Sequence, residues 1–335
     1  MKKLQFAMVG GGNGALIGDI HRIGAQFDDL AELKAGCFSR HWDKNLEAGE
    51  KWGVEPGRIY PDYHTMLEEE AKRTGEDRLD FVVVATPNNT HYEIVKDIIA
   101  HGFHIVCDKP VTFTSRESEE LKALAQEKDL LFGVSYSYAH YAILEQAKKM
   151  IADGVLGKIH TIAAEYPQEW VGLNTALRGK DGLTWRVDPA ICGPSGVIAD
   201  IGTHVEYLIS KVTGLKPVRV LARLRSIPDY VPVESDAQVL IDYDNGAAGI
   251  FWTSFAMGGK SCCMKVRIYG DKGGMEWNAH DFMELRVDIA GQPTQIWSAN
   301  YDYCDPQARK SCRLPKGMPE AFHSLFANFY RGYCS

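Results

Sequence analysis

The stretch Leu4-Gln5-Phe6-Ala7-Met8-Val9-Gly10-Gly11-Gly12-Asn13-Gly14-Ala15 decides how the rest of the chain is read. A short apolar run, Leu4 to Val9, enters a cluster of glycines, and a helical pattern begins near Ala15. Glycines let the backbone turn tightly and approach a pyrophosphate, and the helix N-terminus that follows offers unpaired N–H groups and a favourable dipole. Gly10, Gly12, Asn13, Gly14 and Ala15 are therefore candidate contacts to a nicotinamide dinucleotide. The spacing departs from the usual G-x-G-x-x-G, with either Gly14 or Gly18 as the closing glycine. A plain strand-to-helix turn would show the same local pattern; its place at the head of a βαβ series favours the cofactor reading.

Outward from this turn, Glu32 to Phe38 reads as a second strand, and continuous apolar runs recur at Phe81 to Ala85, His104 to Cys107 and Leu130 to Val134. Runs without strict alternation suit strands buried on both faces. Between them, Tyr92 to His101 places Ile94, Val95, Ile98 and Ile99 on one helical face. Ser115 to Lys128 does the same with Leu121, Leu124 and Ala125, and Ser115 is the expected cap. Alternating strands and helices predict a Rossmann-type parallel sheet over residues 1–135.

The pattern changes after Ser135. A helix is expected from Ala142 to Ala152, then strands at Ile159 to Tyr166, Val218 to Leu224, Ala237 to Tyr243, Ala247 to Phe255, Cys263 to Tyr269 and Leu285 to Ile289. Asp244-Asn245-Gly246 is a hairpin turn signal, and Gly270 to Gly274 is a second turn. One helix interrupts the strands from Val197 to Val212. The expectation is an α/β chain whose residues 136–335 form an α+β domain with a large, open, mostly antiparallel sheet. That domain is expected to bind substrate and, through its sheet, to form a homodimer or homotetramer. The apolar helical pattern Phe322, Leu325, Phe326, Phe329 stops abruptly before Ser335, which points to a shortened C-terminus.

Composition narrows the function classes. The 335 residues are 45% hydrophobic and 24% charged, the profile of a globular chain with a sizeable core. A net charge of -7 argues against nucleic-acid or anionic-membrane partners, which need clustered Lys and Arg. No apolar run is long enough to cross a bilayer, and Met1-Lys2-Lys3 leads into a strand rather than a signal peptide. The eight cysteines make no CxxC pair, and the histidines have no metal-ligand spacing, so no metal site is expected. A reducing cytoplasm suits this cysteine usage.

The residues after the second strand bear on cofactor choice. An acidic residue there would hold the 2′-hydroxyl of NAD, but the sequence is Cys37-Phe38-Ser39-Arg40. Ser39 can bond either ribose form, and Arg40 either accepts a 2′-phosphate or is a solvated loop charge. NAD or NADP are both open, with a slight preference for NAD.

Two further motifs close the two middle strands: Thr86-Pro87-Asn88-Asn89-Thr90-His91 and Asp108-Lys109-Pro110. With the glycine turn, they make the chain resemble the Gfo/Idh/MocA oxidoreductases, whose motifs include PNxxH and EKP loops. Asp108 stands where those enzymes usually carry Glu. Trp185-Arg186-Val187-Asp188-Pro189, Gly193-x-Ser195-Gly196 and Asp200-Ile201-Gly202-Thr203-His204 extend the resemblance, the last as the family's DxxxH pair. The expanded glycine loop and Glu165-Tyr166-Pro167-Gln168 are similar to the subgroup that acts on sugars, cyclitols and glycosides. The resemblance implies cofactor contacts from Thr86, Pro87, Asn88, His91, Asp108 and Lys109. It also implies a polyol pocket lined by Tyr138, Tyr166, Gln168, Trp185, Arg186 and Asp188, although the tyrosines would serve equally as packing and Arg186 could pair with Asp188.

Oxidising a secondary alcohol needs a hydride acceptor and a base for the hydroxyl proton. Histidine suits the base role because its pKa lies near neutrality. Asp200 and His204, spaced i, i+4, share one helical face, and that face is expected to turn away from the apolar stripe Ile198, Ile201, Val205, Leu208 and Val212. By spacing alone this is an ordinary exposed pair; the resemblance makes Lys109, Asp200 and His204 catalytic, with His204 as base and Lys109 stabilising charge on oxygen. Two other readings compete. One is a glycosidase that uses NAD for transient oxidation and elimination, and the other is a non-catalytic dinucleotide-dependent sensor.

Overall fold

The computed structural model describes residues 3–262 and 264–335. The chain divides into two compact units. One contains the residues up to Ser135 together with Phe322–Ser335, and the other is Tyr136–Ala321.

In the first unit, β1 (Leu4–Gly10), β2 (Ala31–Cys37), β3 (Phe81–Ala85), β4 (His104–Cys107) and β5 (Phe132–Val134) form one sheet in the order β2-β1-β3-β4-β5. Every pairing in it is parallel. Phe81 to Ala85 are all buried, as a strand covered on both faces must be. The connecting helices are α1 (Leu16–Gln26), α2 (Trp42–Lys51), α3 (Tyr63–Ala71), α4 (His91–Ala100) and α5 (Ser115–Glu127). Two separate cores lie against the sheet. Ile94, Val95, Ile98 and Ile99 of α4 pack into one with Val82 and Val84, and Ile20 and Ala25 of α1 enter the other with Met8 and Val83. The cap of α5 is Thr114, not Ser115: its hydroxyl accepts from Glu117 N while the Glu117 carboxylate takes the Thr114 amide.

The C-terminal helix Phe322–Cys334 belongs to this unit, although its place in the sequence groups it with the second. The cause is its apolar stripe. Phe326, Phe329 and Tyr330 are buried in the core beneath α1 with Phe6 and Phe81, and Phe326 leaves no room for a side chain at Gly24.

The second unit holds α6 (Ala142–Ala152), β6 (Ile159–Pro167), α7 (Trp170–Arg178), α8 (Pro189–Cys192), a single π-helical turn at Ile198–Gly202, and α9 (Thr203–Thr213). The strands β7 (Pro217–Arg225), β8 (Asp236–Tyr243), β9 (Ala248–Ser254), β10 (Lys265–Gly270), β11 (Gly273–Asn278), β12 (Glu284–Ile289) and β13 (Gln295–Ser298) join β6 in one sheet. Its order is β13-β12-β11-β10-β6-β9-β8-β7. All pairings are antiparallel except β6 with β9. Asp244-Asn245-Gly246 turns β8 into β9, and Asp271-Lys272 turns β10 into β11. Cys263, at the expected start of β10, lies outside the described residues.

One face of this sheet is covered: Val239, Ile241, Phe251, Val266, Ile268 and Val287 are buried, and α6 and α9 contact its strands. The other face leaves Leu240 and Ile250 half exposed. Among the described residues no helix is long and apolar enough to cross a membrane.

Candidate active site

The first unit gathers its motifs at the C-terminal edge of the parallel sheet, where ligands bind in open α/β folds. Gly10 ends β1, Thr86 follows β3 and Asp108 follows β4, held in register by Asp108 N donating to Val84 O at 2.9 Å. Of the two candidate closing glycines, Gly18 has the packing role. A Cβ there would stand 1.9 Å from the Gly11 carbonyl oxygen, so only glycine lets α1 approach the turn. Gly14 instead needs its freedom of backbone, with φ at +86° and open space around it. Ala15 caps α1 without any side-chain hydrogen bond, which leaves the helix N-terminus to be satisfied from outside. A pyrophosphate fits that cradle. Asn13 Oδ1 accepts from Lys51 Nζ at 3.2 Å beside it.

Past β2, Ser39 is half-buried and its hydroxyl accepts from His41 N at 3.1 Å, while Arg40 is exposed. His91 has both ring nitrogens engaged by backbone within this unit. It is fully buried, and its Nδ1 and Nε2 lie 2.8 Å and 2.9 Å from the carbonyls of Pro110 and Thr86. Its ring therefore ties the Thr86-Pro87-Asn88 loop to the Asp108-Lys109-Pro110 loop. Thr90 Oγ1 reinforces the first loop by donating to Thr86 Oγ1 at 2.7 Å.

Asp108 accepts from Ser135 Oγ at 2.5 Å and lies 3.7 Å from Nε2 of the buried His21, whose Nδ1 is 2.7 Å from the Tyr330 hydroxyl. Burial pushes the Asp108 carboxyl up, but His21, the Lys109 charge and the Ser135 hydroxyl together outweigh it and hold the group well below the usual carboxylate range. Asp108 is thus an internal anchor for the loop that carries Lys109. Sequence reading missed Ser135, His21 and Tyr330, because their partners lie up to 309 residues away.

The second unit assembles the remaining residues around α9. Asp200 sits in the π-helical turn and His204 in the first turn of α9, so the pair spans a junction rather than one regular helix. Such turns often mark functional sites. His204 is not on an exposed face: it is 6% accessible, with the rings of Tyr136 and Tyr138 edge-on at 5.6 Å and 4.9 Å. Aromatic flanking overrides the amphipathic pattern because the covered side of α9 is wider than its aliphatic stripe. The Asp200 carboxylate faces Arg186, whose Nη1 is 3.5 Å from both oxygens, and the guanidinium lies over the Trp185 ring at 4.8 Å.

Arg186 therefore pairs with Asp200. Asp188 is occupied elsewhere, capping α8 through Ala190 N at 3.0 Å. Tyr166 is buried, and its hydroxyl donates to Tyr138 at 2.9 Å; burial holds both phenols well above their ordinary range. Tyr166 thus backs Tyr138. Gln168 is half-buried, with Nε2 4.0 Å from Cys262 Sγ. Two contributors were missed by the sequence reading. The Glu234 carboxylate accepts from Ser195 Oγ and from the amides of Gly196 and Ile198, which fixes the start of the π turn. Tyr207 stacks on Tyr136 at 4.7 Å. No local motif marks Glu234, whereas Tyr207 follows His204 at helical spacing. A cavity of ≈ 580 Å³ in this unit lies elsewhere, near Gln146, Trp297 and Tyr303, and none of the expected site residues borders it.

Known proteins resemble this chain over nearly its whole length. Residues 4–136 match the model of an oxidoreductase family with an NAD-binding Rossmann fold, and residues 144–276 match the GFO/IDH/MocA C-terminal domain. The uncharacterised oxidoreductase YfiI of Bacillus subtilis is 37% identical over 98% of this chain and 84% of its own. An inositol dehydrogenase homologue of Azotobacter vinelandii, solved with NAD+, superposes with a TM-score of 0.94 at 35% identity, covering 99% of this chain and 86% of the other. Its complex with NADH and myo-inositol gives a TM-score of 0.91 at 35% identity over the same shares.

Proposed function

The chain belongs to the Gfo/Idh/MocA family of NAD(P)-dependent oxidoreductases, and on that premise we propose that it oxidises a secondary hydroxyl of a sugar, cyclitol or glycoside to a ketone. The observation that carries the reading is His204, buried between two tyrosine rings one helical turn beyond the Asp200–Arg186 pair. A relative at 35% identity that takes NADH and myo-inositol together supports the substrate class.

The dinucleotide, when bound, accepts a hydride at nicotinamide C4. The turn Gly10 to Ala15 would hold its pyrophosphate against the start of α1, and Ser39 with Arg40 would meet the ribose. Thr86, Pro87 and Asn88 would border the nicotinamide. His204 removes the hydroxyl proton, and the Lys109 ammonium stabilises the negative charge that grows on the oxygen. Asp200 orients that oxygen while restraining Arg186. Tyr138, Gln168, Trp185 and Arg186 meet the polyol's hydroxyls and its apolar face, Tyr166 supports Tyr138, and Asp188 shapes the loop. Leu240 and Ile250, half exposed on the open face of the eight-stranded sheet, suit association of like chains into a dimer or tetramer. A reducing cytoplasm is the compartment proposed, in keeping with seven free cysteines among the described residues.

The test is a panel of sugars, cyclitols and glycosides with NAD and with NADP, read by reduced-cofactor absorbance. Reduction by a polyol in the panel is the expected result; silence with both cofactors across the panel contradicts the reading.

A further inference from the structure

His204, Tyr207 and Lys211 occupy positions i, i+3 and i+7 of α9 and so form one stripe along the helix. The turn Ser137–His140, with Tyr136 ahead of it and α6 behind it, lies against this stripe. At one end Tyr136 stacks on Tyr207 at 4.7 Å, and Tyr136 and Tyr138 both present edge geometry to His204. At the other end stands Lys211, whose side chain is 17% accessible.

The Lys211 ammonium has three donors, and three acceptors surround it. Nζ donates to the Ala139 carbonyl at 2.8 Å and to His140 Nδ1 at 3.2 Å, and meets the Glu145 carboxylate of α6 at 2.8 Å. A charge this far from water is tolerated only when its hydrogen bonds are made, so the cluster favours one geometry. Burial, and then the Lys211 charge, push the His140 imidazole down to about 3, which keeps its Nδ1 lone pair available as an acceptor. Burial also lowers Lys211 from its ordinary value, against the pull of Glu145. The residues assigned to proton removal and charge stabilisation do not include this cluster.

We infer that Lys211 is a positioning residue: it fastens the tyrosine-bearing turn to the helix that carries His204, and thereby fixes the imidazole between Tyr136 and Tyr138. This inference rests on the proposed role of His204 as base. Removing Lys211 would release the turn from α9 at the end remote from the histidine. The rings of Tyr136 and Tyr138 would then lose their fixed relation to the imidazole while the glycine turn, in the other unit, stayed intact.

The experiment compares the full chain with Lys211→Met and Lys211→Arg. It uses NMR of histidine ring carbons, with the His204 signal identified by its loss in His204→Gln, and it measures NAD affinity, kcat, KM and the pH profile of kcat. In Lys211→Met the His204 signal should move, because the flanking rings dominate its shielding. The kcat–pH midpoint should move with it, kcat should fall about 10- to 100-fold with a smaller change in KM, and NAD affinity should hold within about twofold. Lys211→Arg should recover part of each change. If Lys211→Met fails to fold, Glu145→Gln, which retains the Ala139 and His140 bonds, should give smaller changes in the same direction. A His204 signal and kcat–pH profile left at their original positions in a folded variant would overturn the inference. A shifted signal in a protein whose parent oxidises no polyol would end the oxidation reading alone and leave Lys211's placement standing.

Discussion

The nucleotide edge of the first unit is made largely of backbone, and the histidine site of the second is made of side chains. At the edge, Gly11, Gly14 and Gly18 matter for what they lack, and the expected ligand contacts are amides at the start of α1. Around His204, four tyrosine rings, a guanidinium and two carboxylates come from segments as far apart as Tyr136 and Glu234. A backbone site is damaged by adding atoms and a side-chain site by removing them. Substitutions in the two regions should therefore fail in opposite ways: one loses affinity for the dinucleotide, the other loses turnover with the dinucleotide still bound.

The largest effect expected is for His204→Ala, which should lower kcat about 10²- to 10⁴-fold while calorimetry finds NAD affinity unchanged. Near-full turnover with a confirmed substrate would remove His204 from the base role. Lys109→Met tests the one side chain in the first unit assigned to chemistry. Its kcat should drop about 10²- to 10³-fold, measured under saturating cofactor. Gly18→Ala probes the other kind of failure: with a Cβ 1.9 Å from the Gly11 oxygen, the turn must shift, and NAD affinity should weaken about 10²-fold by fluorescence titration. If both affinity and turnover survived, the close approach would not matter for binding.

Smaller effects sharpen the edge itself. Arg40→Glu should reduce the preference for NADP relative to NAD in kcat/KM by about tenfold, equivalent to about 1.4 kcal/mol, whichever cofactor the parent prefers. An unchanged ratio would make Arg40 a solvated loop charge. Asp108 gives a stability effect. Its carboxyl is held below its unfolded value, so the folded state binds fewer protons there and stability rises with pH through that window. The contribution is complete above the unfolded value of about 3.9 and is lost as pH falls toward the lowered folded one. Asp108→Asn should therefore flatten the acid limb of a denaturation profile below pH of about 4, while an unaltered slope would show that His21 and Ser135 do not hold the charge.

The same contrast explains what the sequence disclosed. The βαβ series was readable because each strand is a local apolar run and each loop a local motif: Phe81–Ala85 into Thr86-Pro87-Asn88, His104–Cys107 into Asp108-Lys109-Pro110. Helices α2, α3, α7 and α8 and strands β11 and β13 went unread, as short or weakly patterned elements do. The placement of Phe322–Cys334 was invisible because only packing against α1 decides it. At the site, Asp200 and His204 could be named, but not the burial of His204 or the partner of Arg186. Those depend on Tyr136, Tyr138 and the π turn, whose widened geometry no spacing rule anticipates. Asp188 and His91 show the converse: motif residues whose polar atoms serve a helix cap and two loop carbonyls.

The most direct test of the central claim follows the hydride itself. The polyol found in the panel, deuterated at the carbon to be oxidised, is incubated with the protein and the dinucleotide, and both products are examined by mass spectrometry. The account predicts one deuterium on the nicotinamide ring for each ketone formed, and almost none with His204→Ala. Release of a free aglycone with no net reduced cofactor, or ketone formed without deuterium on the nicotinamide, would contradict it.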